Sequence, residues 1–454
     1  MLDLTPKTMT ERKALRVNPC KTCQPVGAMY AALGVHKCMP HSHGSQGCAS
    51  YHRTYLSRHY KEPAMASSSS FTEGASVFGG GSNLKTAVKN VFDIYDPDII
   101  AVHTTCLSET IGDDLNSYIL DMDIPEGKLV VHTNTPSYAG SHINGFFNMM
   151  CGFIKYLAEK TETPNGKTAI FPGFVNPGDM RELKRLAAMM SVPVTMFPDT
   201  SGVLDAPMTG RFTMYPKGGT TIPEIRGLGD CSSVIALGTI SSTEPAEFLK
   251  KKCKVPYKLL PLPMGVEATD RFLMELSKIS KIEVPYELEE QRGQLIDILL
   301  DSNPYTYEKT TAIFGDPDIV VGLTAMCLEM GMIPKYVITG TPKAEFTREV
   351  NELLERYGVE DAVVKANADL FELHQLIKNE PVDLLIGNSY GKTIAKAEDI
   401  PFVRAGFPIL DRYVHSYMPL VGYFGMMRMT EIITNTLMDR QDATCKDEDL
   451  EIVM

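Results

Sequence analysis

Several cysteines stand close together in the first quarter of the chain, where they could bind a metal. They are Cys20, Cys23, Cys38, Cys48 and Cys106. Cys23, Cys48 and Cys106 each stand beside glycine or in a turn-rich stretch, KTCQP, GSQGC and HTTCLSE. Thiolates hold iron–sulfur clusters, and small neighbours let backbone N–H groups approach the sulfur atoms. These three cysteines therefore indicate an iron–sulfur site, although a 4Fe–4S cluster ordinarily takes four thiolates.

The missing ligand leaves two possibilities open. Cys20, Cys38 or Cys151 could complete the set, or another chain could supply the rest, and spacing alone does not decide. Ser141 in TPSYAGSH offers a hydroxyl that could serve as a harder ligand, although a turn serine is the ordinary interpretation. Zinc or dithiol chemistry at Cys20-x-x-Cys23 is disfavoured, because no second CxxC or HxxxH follows.

Two other motifs have weaker claims to chemistry. Asp297 and Asp301 in RGQLIDILLDS would share one helix face, as a solvated surface or as a weak site for a hard cation. The stretch GNSYGKT, residues 387–393, lacks the first glycine of a phosphate-binding loop. It is better interpreted as a strand–helix turn than as a nucleotide site.

The elements that would position these residues alternate between strands and helices. DIIAVHTTC, KLVVHTNTP, KTAIFPGF, SSVIALG, TTAIFG and VDLLIGN are apolar runs that end in polar loops, and NPGDMRELKRLAAMM has helical spacing. This order predicts an α/β fold of three doubly wound domains with mostly parallel sheets. We place the domains at 1–165, which carries the cysteines, 166–300, and 301–454, which ends in a long helix. The Ser and Gly content of the stretch at 66–83 indicates a loop, but FTEGASVF within it is too apolar for a plain linker.

Composition narrows the class of protein. Forty-four Lys and Arg against 56 Asp and Glu give a net charge of −12, which argues against nucleic acid or an anionic membrane as partner. No run approaches the roughly 18 apolar residues of a membrane span, and no signal peptide is visible. We therefore expect a cytoplasmic protein with reduced thiols.

Taken together and in order, the motifs resemble a known family. KTCQPVGAMYAALG, HGSQGC, KEPAMASSSSFTEGASVFGGG, TTCLSETIGDDL, HTNTPSYAGSH, NPGDMRELKRL, GDPD, GNSYGK and GFPILDR resemble the β subunits of nitrogenase molybdenum–iron proteins. The resemblance runs from about residue 16 to the C-terminus, and the front end is similar to β chains without a long N-terminal arm.

The resemblance implies an α2β2 enzyme that reduces dinitrogen to ammonia with release of H2. Each α–β pair would share an 8Fe–7S P-cluster, with Cys23, Cys48 and Cys106 as ligands from this chain and Ser141 as an oxidation-dependent ligand. The α chain would supply the remaining thiolates and would alone hold the iron–molybdenum cofactor. This chain would then be an electron relay with no catalytic residue of its own.

Further sites follow from the same resemblance. An ATP-hydrolysing iron protein would dock transiently near Phe78 and Ile111, and ATP would bind to that partner. A mononuclear iron or calcium site between two β chains would use Asp297 and Asp301 of one chain. The other chain would contribute Glu62 and the carbonyl of Lys61, a position where many relatives have Arg.

Two residues are expected to be neighbours of the cluster, Tyr51 and His52. His52 stands where relatives often have an aromatic residue.

Three related families fit the sequence less well. The scaffold protein on which the cofactor is assembled generally keeps fewer of these ligands. Vanadium and iron-only nitrogenase β chains tend toward HGGQGC and SKGR, whereas this chain has HGSQGC and YGKT. The dark protochlorophyllide reductase shares the fold but not the GFPILDR region in this form.

Overall fold

The computed structural model describes residues 4–9, 12, 16–161, 163–211, 213–447 and 450 of the 454-residue chain. It divides into two compact units. The first unit comprises Thr22–Pro261 and Tyr413–Pro419, and the second comprises Met1–Lys21, Leu262–Arg412 and Leu420–Met454. Every strand pairing among the described residues is parallel, and the strands form three sheets. The predicted α/β fold class is confirmed.

The first sheet of the first unit contains Cys38, and Cys48 and Cys106 follow two of its strands. Its strands are β1 (Cys38–His43), β2 (Ser67–Ser68), β3 (Ile99–Thr104) and β4 (Leu129–Thr133). They lie in the order β2-β1-β3-β4, and every residue of β1 and β3 is buried, as expected of strands covered on both faces. The helices of this part are α1 (Gln24–Leu33), α2 (Gln46–Tyr60), α3 (Glu73–Phe78), α4 (Gly81–Tyr95), α5 (Cys106–Ile111), α6 (Leu115–Leu120) and α7 (His142–Leu157).

The second sheet of the same unit has the order β6-β5-β7-β8. Its strands are β5 (Thr168–Phe171), β6 (Val194–Met196), β7 (Ser233–Leu237) and β8 (Tyr257–Leu260). Its helices are α8 (Pro177–Met189), α9 (Ile222–Arg226) and α10 (Thr239–Cys253), with a 3-10 turn at Gly227–Asp230. Helix α7 packs against both α1 and α10, so it joins the two sheets of this unit.

The second unit contains one five-stranded sheet in the order β11-β10-β9-β12-β13. Its strands are β9 (Thr310–Gly315), β10 (Ile333–Thr339), β11 (Val363–Lys365), β12 (Leu384–Gly387) and β13 (Phe402–Arg404). Its helices are α11 (Val266–Ser280), α12 (Tyr286–Thr306), α13 (Pro317–Glu329), α14 (Ala344–Arg356), α15 (Leu370–Asn379), α16 (Lys392–Ala397) and α17 (Gly422–Thr444), with a 3-10 turn at Ser389–Gly391.

Two sequence motifs take local structures that bear on the earlier interpretation. GNSYGKT follows β12 and enters the 3-10 turn and α16, as expected of a strand–helix turn. The serine-rich stretch is more ordered than a loop, because Ser67–Ser68 adds an edge strand to the first sheet and Glu73–Phe78 forms α3. The loop interpretation is therefore wrong for Ser67–Ser68, which pair with β1. The apolar segment that the sequence distinguishes from a plain linker forms α3, which is capped by Thr72.

Candidate iron–sulfur ligand site

The four residues predicted as cluster ligands all lie at helix N-termini. Cys23 caps α1, Cys48 is in the first turn of α2, Cys106 is the first residue of α5, and Ser141 caps α7. The N-terminus of a helix carries partial positive charge and exposed backbone N–H groups. These positions therefore favour thiolates, an ionised hydroxyl and the negative charge of an iron–sulfur group.

Three of the four residues follow adjacent strands of one sheet. Cys48 comes after β1, Cys106 after β3 and Ser141 after β4, and these strands are neighbours in the order β1-β3-β4. Because the strands are parallel, their carboxyl ends meet at one edge of the sheet. Loops at that edge are the usual location of ligand sites in α/β sheets.

The fourth residue, Cys23, is brought to this edge by the crossing of α1 and α7. A Cβ added at Gly27 would lie 1.7 Å from the carbonyl oxygen of His142, and one added at Gly145 would lie 1.7 Å from that of Gln24. At each glycine, the first-turn backbone of the other helix comes so close that no side chain would fit. The two N-termini therefore lie side by side, and Cys23 stands next to Ser141 in this crossing.

Hydrogen bonds fix the same crossing. The backbone N–H of His142 donates to the carbonyl of Thr22 at 3.0 Å, and the N–H of Thr22 lies 3.3 Å from Nδ1 of His142. The amide of Gln24 donates to the carbonyl of Ala139 at 2.9 Å and its oxygen accepts from Asn148 at 3.1 Å. The segments that carry Cys23 and Ser141 are therefore held by backbone and side-chain contacts as well as by packing.

The three cysteines are near one another. The pKa of the Cys48 thiol is raised by its burial first, then by the charge of Cys106 and a hydrogen bond with it, and then by the charge of Cys23. Charge on a neighbouring sulfur opposes ionisation, and this effect acts only at short range. Cys48 thus lies within short range of Cys106 and Cys23, and the three cysteines are near one another without forming a closed metal-binding group among the described residues.

Other cysteines occupy apolar interiors. Burial raises the pKa of the Cys20 and Cys38 thiols, and it raises the pKa of Cys327 to about 12. Cys20 packs in the hydrophobic core of the second unit together with Phe314 and Ile338. Buried thiols with raised pKa values are chemically inert, so the environment of Cys20 and Cys38 favours packing roles for them over ligand roles.

The two predicted cluster neighbours, Tyr51 and His52, lie on α2 in contrasting environments. Tyr51 is half exposed, with its hydroxyl 2.9 Å from that of Tyr55. The pKa of Tyr51 is raised by burial first, then by Tyr55 and by the nearby Cys23. His52 is buried, and its Nδ1 has no hydrogen-bond partner among the described residues.

Burial lowers the pKa of His52 to about 4, so the ring is neutral near pH 7. Histidine in the unfolded chain has a pKa of about 6.5. Between about pH 4 and about pH 6.5 the unfolded chain therefore binds a proton at His52 that the folded chain does not bind. The contribution of His52 to stability is therefore complete above about pH 6.5 and is lost as the pH falls toward 4, by roughly 2 kcal/mol at pH 5. We expect His52→Phe to reduce the difference in thermal unfolding between pH 7 and pH 5.

The control is His36→Phe, at a half-exposed position outside the first sheet. Unfolding transitions of both variants and of the parent protein at the two pH values check the prediction. A His52→Phe protein that loses as much stability as the parent on acidification would contradict it.

The predicted docking residues lie on short helices beside the cysteines. Phe78 ends α3 and is 90% exposed, with Val77 beside it 74% exposed. Ile111 ends α5, five residues after Cys106, and is half buried. An exposed aromatic side chain of this kind is a typical anchor for a protein partner.

The predicted interface-metal residues occupy two surfaces. Asp297 and Asp301 are both exposed on α12, one helical turn apart, as the sequence indicated. Lys61 caps the C-terminus of α2 in a left-handed conformation with φ of 62°, and its ammonium lies 5.0 Å from the centre of the Tyr413 ring. Glu62 is half buried next to it.

Two kinds of feature are absent from the described residues. No group of three or more His, Cys, Asp or Glu side chains in that part of the chain is arranged to hold a metal ion. Likewise, no helix within the described ranges is both long and apolar enough to cross a membrane.

Comparison with known proteins identifies the family. A family model described as "Nitrogenase component 1 type Oxidoreductase" matches residues 23–438. The chain belongs to the nitrogenase component 1 type oxidoreductases. The resemblance inferred from the motifs is thereby confirmed, as is the expectation of an oxidoreductase. The match begins at Cys23, so all four predicted cluster ligands fall within the family region.

Relatives within this nitrogenase family cover nearly the whole chain. The chain is 60% identical over 457 aligned residues to the nitrogenase molybdenum-iron protein beta chain of Clostridium pasteurianum, with 100% of both covered. It is 42% identical to the chain of the same description from Nostoc, covering 95% of this chain and 85% of the relative. The corresponding figures for Azotobacter vinelandii are 38%, 95% and 86%.

Solved nitrogenase structures share the fold. One described as "Nitrogenase Cp1 at pH 6.5" has a TM-score of 0.99 at 60% identity and covers 100% of both chains. Another, described as "Nitrogenase Cp1 at pH 5", has a TM-score of 0.72 at 15% identity and covers 97% of this chain and 92% of the other. The second likeness concerns the fold alone.

Proposed function

We propose that the chain is the β subunit of a nitrogenase molybdenum–iron protein and holds half of an 8Fe–7S P-cluster at its junction with an α chain. It relays electrons from an ATP-hydrolysing iron protein to the iron–molybdenum cofactor of the α chain, in support of N2 reduction to ammonia with release of H2. The observation that carries this proposal is the convergence of Cys23, Cys48 and Cys106 at helix N-termini, with Ser141 beside Cys23.

The donor set fits an iron–sulfur group. The cluster, when bound, supplies a reversible store of electrons between the iron protein and the cofactor. Cys23, Cys48 and Cys106 would hold iron as thiolates. The pKa of the Cys48 thiol is raised by burial first and then by Cys106 and Cys23, and bound iron would oppose these effects because it favours the thiolate. The helix N-termini behind them offset the negative charge, and partial burial limits the access of water.

Ser141 has a different part in this function. Its Oγ accepts the N–H of Ile143 at 3.3 Å, and the side chain is buried. As a ligand, Ser141 would hold iron through Oγ after giving up its hydroxyl proton, so its ligation would link the loss of that proton to oxidation of the bound group. An ionised hydroxyl is a harder ligand than a thiolate, and we propose that it favours the more oxidised state.

The chain requires partners in this function. The three thiolates are half of the cysteine ligands, the α chain of the α2β2 tetramer supplies three further cysteines, and Ser141 is an additional ligand. The iron protein docks transiently where Phe78 and Ile111 lie, close to the helix that carries Cys106. The ten cysteines, none of which is joined in a disulfide, are typical of a protein that works in the cytoplasm.

We also propose the mononuclear iron or calcium site between two β chains. Asp297 and Asp301 of one chain present carboxylates on the exposed face of α12, and Glu62 with the Lys61 carbonyl of the other chain completes the site. Only the backbone oxygen of Lys61 is used, so the Lys61 side chain keeps its contact with the ring of Tyr413.

Asp297→Ala is expected to weaken assembly of the tetramer, because one carboxylate ligand is lost and Asp301 alone holds the metal less tightly. Sedimentation of the α2β2 protein with and without chelator measures the effect. The variant should dissociate at concentrations where the parent stays assembled, and chelator should bring the parent to the same state. Equal assembly of parent and variant under both conditions would argue against the site.

The proposed function is tested by anaerobic purification of the chain with whatever binds to it. Iron and sulfide analysis together with EPR spectroscopy should show an α–β complex that contains an iron–sulfur cluster in addition to the molybdenum cofactor. Isolation of a natively folded, iron-free monomer would overturn the proposal.

A further inference from the structure

The exposed Phe78 is the last residue of α3 and precedes a short connection made of glycine. Helix α3 ends at Phe78 and α4 begins at Gly81, so Gly79 and Gly80 alone join them. Gly79 has φ of +97°, a conformation that other residues rarely adopt. A Cβ on Gly80 would lie 2.1 Å from the ring of Phe71. We call residues 77–80 the Phe78 turn.

One buried carboxylate holds this turn. The backbone N–H of Gly80 donates to both oxygens of Asp113, at 3.0 and 3.2 Å, and the hydroxyl of Tyr118 donates to Oδ1 at 3.0 Å. The Asp113 side chain is only 2% exposed. A Cβ on Gly80 would lie 2.8 Å from Oδ2, so the turn and the carboxylate are in direct contact.

The same residue is attached to the helix that carries Cys106. Asp113 follows α5 after one left-handed residue, Gly112, and its N–H donates to the carbonyl of Ser108 at 3.0 Å. Helix α5 has only six residues and begins at Cys106. A displacement of Asp113 therefore acts on an element that contains a proposed cluster ligand.

A histidine reinforces the connection. His43 Nε2 lies 2.9 Å from Oδ2 of Asp113, and since the carboxylate accepts, Nε2 carries the hydrogen. His43 Nδ1 lies 2.9 Å from the hydroxyl of Ser69. The backbone carbonyl of His43 accepts from the N–H of Thr105 at 3.1 Å and from the hydroxyl of Ser108 at 2.8 Å. His43 thus binds Asp113 with its ring and the start of α5 with its backbone.

We propose that Asp113 is a positioning residue that couples the Phe78 turn to α5, the helix that begins at Cys106. Docking of the electron-donating protein at Phe78 then changes the position of Cys106, a proposed cluster ligand. The inference rests on the proposed function and adds to it a route between the docking surface and the ligand. The route consists of two hydrogen-bonded contacts, that of Gly80 with Asp113 and that of Asp113 with α5.

The experiment uses the assembled α2β2 protein with Asp113→Ala, Asp113→Asn and a matched control, Asp230→Ala. Asp230 is also buried and accepts from a backbone N–H and a hydroxyl, both of Thr161 at 2.8 Å, but it ends the 3-10 turn that precedes β7 of the second sheet. Three quantities are measured for each variant: iron content with the EPR spectrum, the rate of reduction by a small-molecule reductant, and electron transfer from the iron protein over a range of concentrations.

We expect Asp113→Ala to keep its iron, its EPR spectrum and its reaction with the small-molecule reductant. Its rate of electron transfer at saturating iron protein should fall about tenfold, a typical size for coupling between two sites. Asp113→Asn, which retains an oxygen for the Gly80 N–H, should recover most of the rate. Asp230→Ala should match the parent protein in all three measurements.

Other outcomes separate this inference from the proposed function. A variant in which only the half-saturating concentration of iron protein rises would show that Asp113 shapes the docking surface alone, and would overturn the coupling. An equal loss in Asp230→Ala would do the same. If Asp113→Ala does not assemble, Gly80→Ala pushes the turn off the intact Asp113, and a normal saturating rate there would overturn the coupling. A parent protein without iron would overturn the proposed function itself.

Discussion

Replacing Cys106 by alanine is expected to abolish electron delivery through the chain. Cys106 is the first residue of α5, where its thiol lies near Cys48 and Cys23 at the edge of the first sheet. Removal of one of three thiolates leaves an iron atom without its protein ligand, and a hydrophobic methyl group cannot replace it. We expect the iron content per α–β pair to fall and electron transfer from the iron protein to drop below detection.

The matched control is Cys327→Ala. Cys327 is fully buried in α13 of the second unit, and burial raises the pKa of its thiol to about 12. This substitution removes one small apolar contact and should leave iron content and electron transfer intact. Equal losses in the two variants would mean that Cys106 acts through packing, and the choice of ligands would then be wrong.

Replacing Gly145 by alanine is expected to be nearly as damaging, although Gly145 is not a ligand. The new Cβ would lie 1.7 Å from the carbonyl oxygen of Gln24, and a helix backbone cannot move aside as a flexible side chain can. Helices α1 and α7 must then separate, and Cys23 at the start of α1 moves away from Ser141 at the start of α7. Overpacking of this kind costs about 1–3 kcal/mol or more.

EPR spectroscopy and iron analysis test this prediction. The EPR signal of the oxidised cluster and the iron content should both decrease in Gly145→Ala, and Gly27→Ala should behave alike because its Cβ would lie 1.7 Å from the His142 carbonyl. The control is Gly293→Ala in α12, where no atom lies within 4 Å of the added Cβ. That change should retain the cluster and stabilise its helix by up to about 1 kcal/mol. A normal cluster in Gly145→Ala would contradict the prediction.

Much of the architecture could be predicted from local sequence pattern. The apolar run DIIAVHTTC predicted a buried strand that ends before Cys106, and β3 spans Ile99–Thr104. The spacing in RGQLIDILLDS predicted one helix for Asp297 and Asp301, and α12 contains both. Such predictions succeed because burial and periodicity act over a few residues. The domain boundaries near residues 165 and 300 stay a prediction.

The geometry that brings the ligands together could not be predicted in this way. Gly27 and Gly145 are distant in the sequence, and nothing near either one shows that it faces the backbone of another helix. Asp113 in ETIGDDL is an ordinary loop carboxylate by its sequence, whereas the structure buries it between Gly80 and His43. Both features depend on contacts between separate elements. The sequence signal for the crossing was the presence of glycine inside helices, because such a glycine usually indicates close packing.

The motif resemblance identifies the proposed ligands, and the structure shows how they are arranged. The resemblance gave Cys23, Cys48, Cys106 and Ser141 as a set without explaining their arrangement. The structure supplies the arrangement: four helix N-termini, three of them after adjacent parallel strands and the fourth set by a glycine crossing. A site at helix N-termini suits an anionic group whatever chain supplies the remaining ligands.

The most direct test of the account is an X-ray structure of the anaerobically purified α–β protein, with diffraction data collected at the iron absorption edge. The account predicts anomalous density for a group of iron atoms between the two chains, bonded to the sulfur atoms of Cys23, Cys48 and Cys106 and adjacent to Ser141. Density confined to the other chain, with the three thiols directed away from one another, would contradict it.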